Sequence, residues 1–176
     1  MRRLVLMLLC FTLAACASRS GETNAVKGVI MRYNQLLADC YRSLNMNPMQ
    51  EVSTPEHATK LYYHMAALGE GGVRMVSQLK KIEFLEVKFP EEGEAVVRTR
   101  ELWDFTHYGI RMGEKQYEEK DFPYEMTYRL TQRNGRWLVA GITAATGRRD
   151  NAAPAPQGRS TSAARPRPAP AAGHHP

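Results

Sequence analysis

The sequence predicts an α+β domain: N-terminal helices packed on a curved antiparallel four-stranded sheet, with a disordered C-terminal tail. Three observations carry this. Apolar residues recur at three- and four-residue steps through the first half of the body. From Leu79 onward the period changes to two. Asn134-Gly135, a pair that tolerates positive φ, separates the last two period-two stretches.

The elements follow in order. Val26, Ile30, Tyr33, Leu37, Cys40 and Leu44 form one apolar stripe on a helix from about Asn24 to Asn45. Asn45-Met-Asn-Pro48 ends it. Ser53 or Thr54 is the expected N-cap of a second helix, with Pro55 at its first position. That helix shows Ala58, Leu61, Tyr62, Met65 and Leu68 on one side, and Gly69-Glu-Gly-Gly72 breaks it. A short helical piece over Val73–Gln78 is expected next. Four strands then follow: Leu79–Phe89, Glu94–Tyr108, Lys120–Gln132 and Arg136–Ala145. Pro90–Gly93 turns between the first two, and Gly109–Gln116 is a longer polar connection. Strands joined by turn-length links, with helices ahead of them, make an antiparallel meander.

Composition narrows the function classes. The chain has 176 residues, 24 basic against 18 acidic. Removing the two Arg of residues 1–15, and the five Arg and one Asp of 147–176, leaves 17 of each sign in between. The folded body is therefore neutral, which argues against a nucleic-acid partner, since that requires a basic face within the fold. Three Cys in 176 residues argue against a disulfide scaffold.

The N-terminus carries the most specific signal. Arg2 and Arg3 precede an unbroken apolar run, Leu4–Phe11, then Thr12-Leu-Ala-Ala-Cys16. The run is too short for a permanent span of about 20 residues and matches a secretory signal peptide. Leu13-Ala14-Ala15-Cys16 resembles the lipobox of bacterial lipoproteins. That resemblance implies lipidation of Cys16, with diacylglyceryl and palmitate-type acyl chains, and cleavage before it. Cys10 fits less well, because Leu9 is too large for the cleavage pocket. Ala17, rather than Asp, implies the periplasmic face of the outer membrane. The expected organisation is 1–15 signal peptide, 16–23 tether, 24–146 folded domain and 147–176 tail. After cleavage Cys40 is the one thiol left unacylated, and its place in the apolar stripe makes it a small buried hydrophobe.

Residues 147–176 hold six of the ten prolines, eight alanines and no Val, Ile, Leu, Met or aromatic residue. Such a segment cannot bury enough apolar area to order itself. Arg165–Pro170 favours polyproline II geometry. Anionic lipid or a cell-wall polymer is a candidate tail partner. His174 and His175 alone make no metal site.

A long helix, a shorter one, and long curled strands, ending in Tyr128-Arg-Leu-Thr-Gln-Arg-Asn-Gly-Arg-Trp-Leu-Val-Ala-Gly-Ile142, resemble the cone fold of the ketosteroid isomerase and nuclear-transport-factor (SnoaL-like, NTF2-like) superfamily. A cystatin-like helix-on-sheet domain is the competing reading. The resemblance implies a sheet curled around a pocket and permits a homodimer, but it leaves function open, because the superfamily spans isomerases, dehydratases, ligand binders and protein-binding modules.

On the second strand Ala95, Val97, Thr99, Glu101, Trp103, Phe105 and His107 make the more apolar face and should point inward. Glu101, Trp103, Phe105 and His107, with Tyr62 at the pocket edge, are the candidate ligand-binding residues. Of Tyr62 and Tyr63, at least one should pack against the sheet. Glu101 or His107 would carry protons if the protein were an isomerase- or dehydratase-type enzyme. No residue is assigned as catalytic. No zinc spacing, phosphate-binding loop or nucleophile elbow is present. His57 and His64, two helical turns apart, are too distant to share a metal. No metal and no cofactor is expected. The preferred reading is a membrane-anchored envelope lipoprotein that binds a protein or small ligand; a structural part in an envelope assembly is the other alternative.

Overall fold

In a computed structural model of the chain, the backbone is described over residues 2–146 and the side chains over 19–145. The leader side chains, the Cys16 thiol and the whole tail, with His174 and His175, lie outside the described residues.

Helix α1 spans Arg2–Ser43. It starts well before Asn24 and continues through the residues expected as a tether. Its N-terminal stretch contains no proline, and Leu, Ala, Met and Arg all favour helix. Among the described residues no helix is long and apolar enough to cross a membrane. The helix closes at Leu44, which takes φ 55°, while the Asn45 N–H donates to the Cys40 carbonyl at 3.1 Å. This is a Schellman closure with leucine in the left-handed position. Val26, Ile30, Tyr33 and Cys40 are buried along one side, as the stripe predicts.

A 3₁₀ turn over Asn47–Glu51 inserts the fully buried Met49 under the domain. Helix α2 then runs Pro55–Glu70, capped by the Thr54 hydroxyl, which accepts from the His57 N–H at 3.3 Å.

Four strands follow: β1 Val73–Lys88, β2 Glu94–Gly109, β3 Lys115–Arg133 and β4 Arg136–Thr146. They form one sheet in the order β1-β2-β3-β4, each pair antiparallel. The expected α+β layout is thus present. The helical piece expected over Val73–Gln78 is not: those residues open β1, paired with Asp104–Gly109 of β2. Gly72, at φ 73°, turns the chain directly out of α2 into the sheet, and pairing with a distant strand overrides a weak local preference. β3 likewise begins ahead of Lys120, at Lys115. Asn134 and Gly135, at φ 52° and 74°, make the expected two-residue hairpin turn.

Bulges keep one face inward along these long strands. In β1 the register shifts at Leu79/Lys81 and again at Phe84/Glu86. Leu79, Ile82, Phe84 and Val87 therefore all face Trp103, Glu101, Thr99 and Val97 despite their mixed parity. In β3 a shift opposite Trp103/Phe105 falls at Asp121, which has φ 55°. The bulged Lys80 and Asp121 meet across the outer face. Their side chains pair, the Asp121 N–H donates to Asp104 Oδ1 at 2.8 Å, and Lys80 lies 3.9 Å from Asp104. Three strands thus bend at one level.

The outer face is otherwise a lattice of exposed ion pairs, including Arg100 with Glu83 and Glu125, and Arg98 with Glu125. The outer edge of β4 is partly covered. Thr54 N–H donates to the Val139 carbonyl at 3.0 Å, and Val139 N–H donates to the Val52 carbonyl at 2.8 Å, so the approach to α2 occupies this edge.

Asp121→Val places a β-branched residue at positive φ and should lower stability by about 1–2 kcal/mol. Asp121→Gly relieves the backbone while losing an exposed ion pair, and should change little. Urea unfolding of both separates the two effects; equal losses would show that backbone strain is not what Asp121 is chosen for.

Candidate functional site

The inward face of β2 is as expected. Ala95, Val97, Thr99, Glu101 and Trp103 are buried, and Phe105 and His107 are partly exposed. Alternation, corrected by the bulges, sets this face against α1.

Glu101 lies at its centre with 1 % of its surface exposed. Three donors converge on its carboxylate. Thr99 and Tyr128 hydroxyls donate to Oε1 at 2.7 and 2.6 Å, and the Trp103 indole N–H donates to Oε2 at 2.7 Å. Asn34 of α1 donates its amide to the Tyr128 oxygen at 3.0 Å. No ion pair to Glu101 occurs among the described residues, so a buried acid is held by neutral dipoles. Burial first, then the Glu101 charge and its hydrogen bond, push the Tyr128 phenol well above the ordinary tyrosine range. Tyr128 therefore stays a donor.

A second buried pair lies beside it. Tyr33 Oη and His57 Nε2 are 2.9 Å apart, with their rings stacked, and Tyr33 packs edge-on against Tyr128. Burial raises the Tyr33 phenol. Burial, then the Lys60 charge, lowers His57. Both shifts favour the neutral forms, so Tyr33 and His57 share a hydrogen bond between uncharged groups. Further along α1, Tyr41 bonds His64 Nδ1, and burial pushes Tyr41 up to about 12. Both histidines thus join α2 to α1, and among the described residues no set of three or more His, Cys, Asp or Glu could hold a metal ion.

Beyond Trp103 the inward face changes character. Trp103 stacks on Phe105 at 6.0 Å between centroids, Phe105 meets Phe122 and Tyr124 edge-on at 6.3 and 6.0 Å, and Phe122 lies 4.6 Å from Tyr124. His107 continues the strip, where burial lowers its pKa. These residues stand outside the buried cluster that the helices make with the sheet. Phe105, Phe122 and Tyr124 are partly exposed. β4 ends at Thr146, opposite Tyr124, so among the described residues this arm of the sheet is three strands wide.

The structure therefore brings together Glu101, Trp103, Phe105 and His107 along one strand, but in two settings. Glu101 belongs to the packed centre, and both its oxygens are engaged. Trp103 is the junction. Phe105 and His107 belong to the open strip. Tyr62 does not join them. It is 52 % exposed and its neighbour Tyr63 67 %, so neither packs against the sheet. Both border a hollow of about 270 Å³ with Met46, Asn47 and Pro55. Helix α2 turns Ala58, Leu61, Met65 and Leu68 to the core, which leaves Tyr62 on its neighbouring, exposed face. A larger hollow of about 470 Å³ lies between Arg19 and Glu22 of α1 and the β1–β2 turn, floored by Phe89 and Trp137.

Thr99 and Tyr128 as partners of Glu101, and Asn34 as the partner of Tyr128, are contacts that sequence reasoning does not assign. A signal exists: Thr99 and Glu101 are polar neighbours on one apolar face, a pairing that requires donors from facing elements. Which donors answer is a three-dimensional fact.

No family model matches the sequence, and no curated protein matches it. Solved structures do resemble it. The intermembrane space region of the chloroplast protein ARC6 superposes with a TM-score of 0.63 at 11 % identity, over 70 % of this chain and 95 % of that one. Aln2 from a Streptomyces species gives 0.47 at 8 % identity, over 69 % and 90 %. A cystatin-like protein from Caulobacter vibrioides gives 0.44 at 15 % identity, over 71 % and 90 %. At such identities the ARC6 likeness is one of fold.

The packing around Glu101 and His57 can be tested by substitution. Glu101→Leu strands three buried donors, each costing about 1–3 kcal/mol, and should cost more than Glu101→Gln, which keeps an acceptor; equilibrium unfolding with Trp103 fluorescence compares them. His57 has a lowered pKa when folded, so its contribution is complete above its unfolded value of about 6.5 and is lost as pH falls toward the folded value. Between pH 7 and 5.5, His57→Gln should lose less stability than the parent protein. An identical pH slope in the two would mean that His57 is not a source of acid sensitivity.

Proposed function

We propose that the protein is a lipid-anchored envelope lipoprotein whose domain is an interaction module, with the aromatic strip of β2 and β3 as its binding face. One observation carries this reading. The acid on the inward face is consumed by structure, while the aromatic rings beside it are left outside the core. Both oxygens of this buried acid are already engaged by the protein's own donors. Partly exposed, contiguous rings offer apolar area and flat faces, the two properties that dominate recognition surfaces. The charged outer face, by contrast, is already paired within itself.

Leu13-Ala14-Ala15-Cys16 supports the anchor. Acyl chains on Cys16, at about 0.8 kcal/mol per buried methylene, would hold the domain stably at a membrane. The ARC6 intermembrane space region is a protein segment of the same fold that resides between two membranes, a setting compatible with the periplasm proposed here. Membership of the NTF2-like superfamily is part of the same proposal and is supported by the helix-then-meander layout.

The test places a photo-crosslinking residue at Phe122 in the full chain, in envelopes made with Cys16 or with Cys16→Ala. The expected result is detergent-phase protein with a discrete crosslinked protein for Cys16, and aqueous-phase protein for the variant. Aqueous partitioning of the Cys16 protein would remove the lipoprotein reading. Absence of any Phe122 adduct would remove the aromatic strip as the binding face.

A further inference from the structure

The hollow that Tyr62 and Tyr63 border shares no residue with the aromatic strip. The two tyrosines are consecutive on α2, where neighbouring side chains diverge by about 100°. Their rings meet edge to face, with centroids 5.9 Å apart and planes at 66°. Both residues are more than half exposed, so the rings form an open corner. Asn47 and Gln50 of the 3₁₀ turn also line the hollow, together with the buried Met46 and Ala58.

Buried hydrogen bonds fix the turn against the helix. The Ser53 hydroxyl donates to the Met49 carbonyl at 2.6 Å, and the Thr54 hydroxyl accepts the His57 N–H. The turn and the aromatic corner are therefore held in place before any ligand arrives, which lowers the ordering cost of binding.

The lining selects a ligand class. Among the described residues no charged side chain lines the hollow, so an ion finds no counter-charge there. Among the same residues, the Tyr62 and Tyr63 phenols and the Asn47 and Gln50 side-chain amides make no hydrogen bond. A purely apolar ligand would take water from these four groups and pair none of them. A neutral sugar meets both demands. The C–H face of a pyranose ring packs on a phenol ring, and its hydroxyls pair with amides that both donate and accept. The hollow measures about 270 Å³, just below the range of about 300–1,000 Å³ usual for small-ligand sites, which suits a single ring. A proline-rich strand docks along an extended aromatic-lined groove, whereas two rings at 66° make one corner.

We propose that this hollow binds a neutral saccharide, with one pyranose ring seated in the Tyr62–Tyr63 corner and its hydroxyls on Asn47 and Gln50. Binding here is independent of the strip as a partner-binding face. A single ring held in this way has a Kd of about 1 mM.

Amide chemical shifts of the ¹⁵N-labelled full chain in detergent micelles test it. The probes are N-acetylglucosamine, its linear trimer and maltotriose. The amides of Asn47, Gln50, Tyr62 and Tyr63 should shift and saturate with a Kd of about 1 mM for at least one probe, while those of Phe105 and Phe122 stay fixed. Tyr62→Ala with Tyr63→Ala should weaken binding about tenfold or more, and Tyr62→Phe with Tyr63→Phe, which keeps the ring faces, should stay within about threefold of the parent. Both pairs lie on the exposed face of α2, and unchanged shifts elsewhere in the spectrum verify that they fold. Equal affinity for monomer and trimer supports a free sugar as the ligand; a tighter trimer supports a glycan chain. No saturable shift with any probe up to about 20 mM overturns the proposal. So does equal binding by the alanine variant, or a shift confined to the strip. Saturable shifts at the same amides with a proline decamer, and none with the sugars, reassign the hollow to a peptide and overturn it as well.

Discussion

Everything on the inward side of the sheet depends on how a buried carboxylate is satisfied. Glu101 takes hydrogen bonds from Thr99 and Trp103 on its own strand and from Tyr128 on the next. Asn34 then ties Tyr128 to α1. One acid therefore fixes two strands and a helix in a single arrangement, because a slip by one residue would strand several polar groups in an apolar interior at once. Apolar packing alone would tolerate neighbouring arrangements, whereas this network admits only one. The Tyr33–His57 pair extends the same constraint to α2.

The bulges are the second constraint. Strands of sixteen to nineteen residues cannot stay flat against a helix, since twist accumulates along them. Lys80 in β1 and Asp121 in β3 are extra residues at one level, and they meet over Asp104. Below that level the sheet is four strands wide and covered by the helices. Above it, among the described residues, the sheet is three strands wide and its inward face ends in rings. The bulges divide a buried half from a partly exposed one, and Trp103 sits at the division, its N–H bonded to Glu101 and its ring stacked on Phe105.

The legible and illegible parts of this fold divide on the same physics. Val26, Ile30 and Tyr33 are readable because helical spacing is a local property. So are the Asn134-Gly135 turn and the inward face of β2, where Glu101, Trp103, Phe105 and His107 fall by simple alternation. Val73–Gln78 reads as helix and folds as strand, because its strand state comes from pairing with Asp104–Gly109, far along the chain. Tyr62 reads as a pocket residue and lies elsewhere, because α2 turns Ala58, Leu61, Met65 and Leu68 to the core and Tyr62 falls just beyond that stripe. The bulges at Lys80 and Asp121 are equally silent, since positive φ at Asp121 is a consequence of neighbouring strands. Glu101 is visible as a residue while its role is not, because its three donors come from two strands.

Glu101 and the aromatic strip meet at Trp103, whose N–H serves one and whose ring stacks in the other. A carboxylate can be buried without a cation only if donors close around it, and closing them requires Trp103 to turn its N–H inward. The Trp103 ring, itself 6 % exposed, stacks on Phe105, and edge-on contacts of Phe105 with Phe122 and Tyr124 continue from there. Beyond Trp103 the rings of Phe105, Phe122 and Tyr124 are partly exposed. On the proposed reading the partly exposed rings of Phe105, Phe122 and Tyr124 are what the domain offers a partner, and the bulges at Lys80 and Asp121 mark the level at which that strip begins.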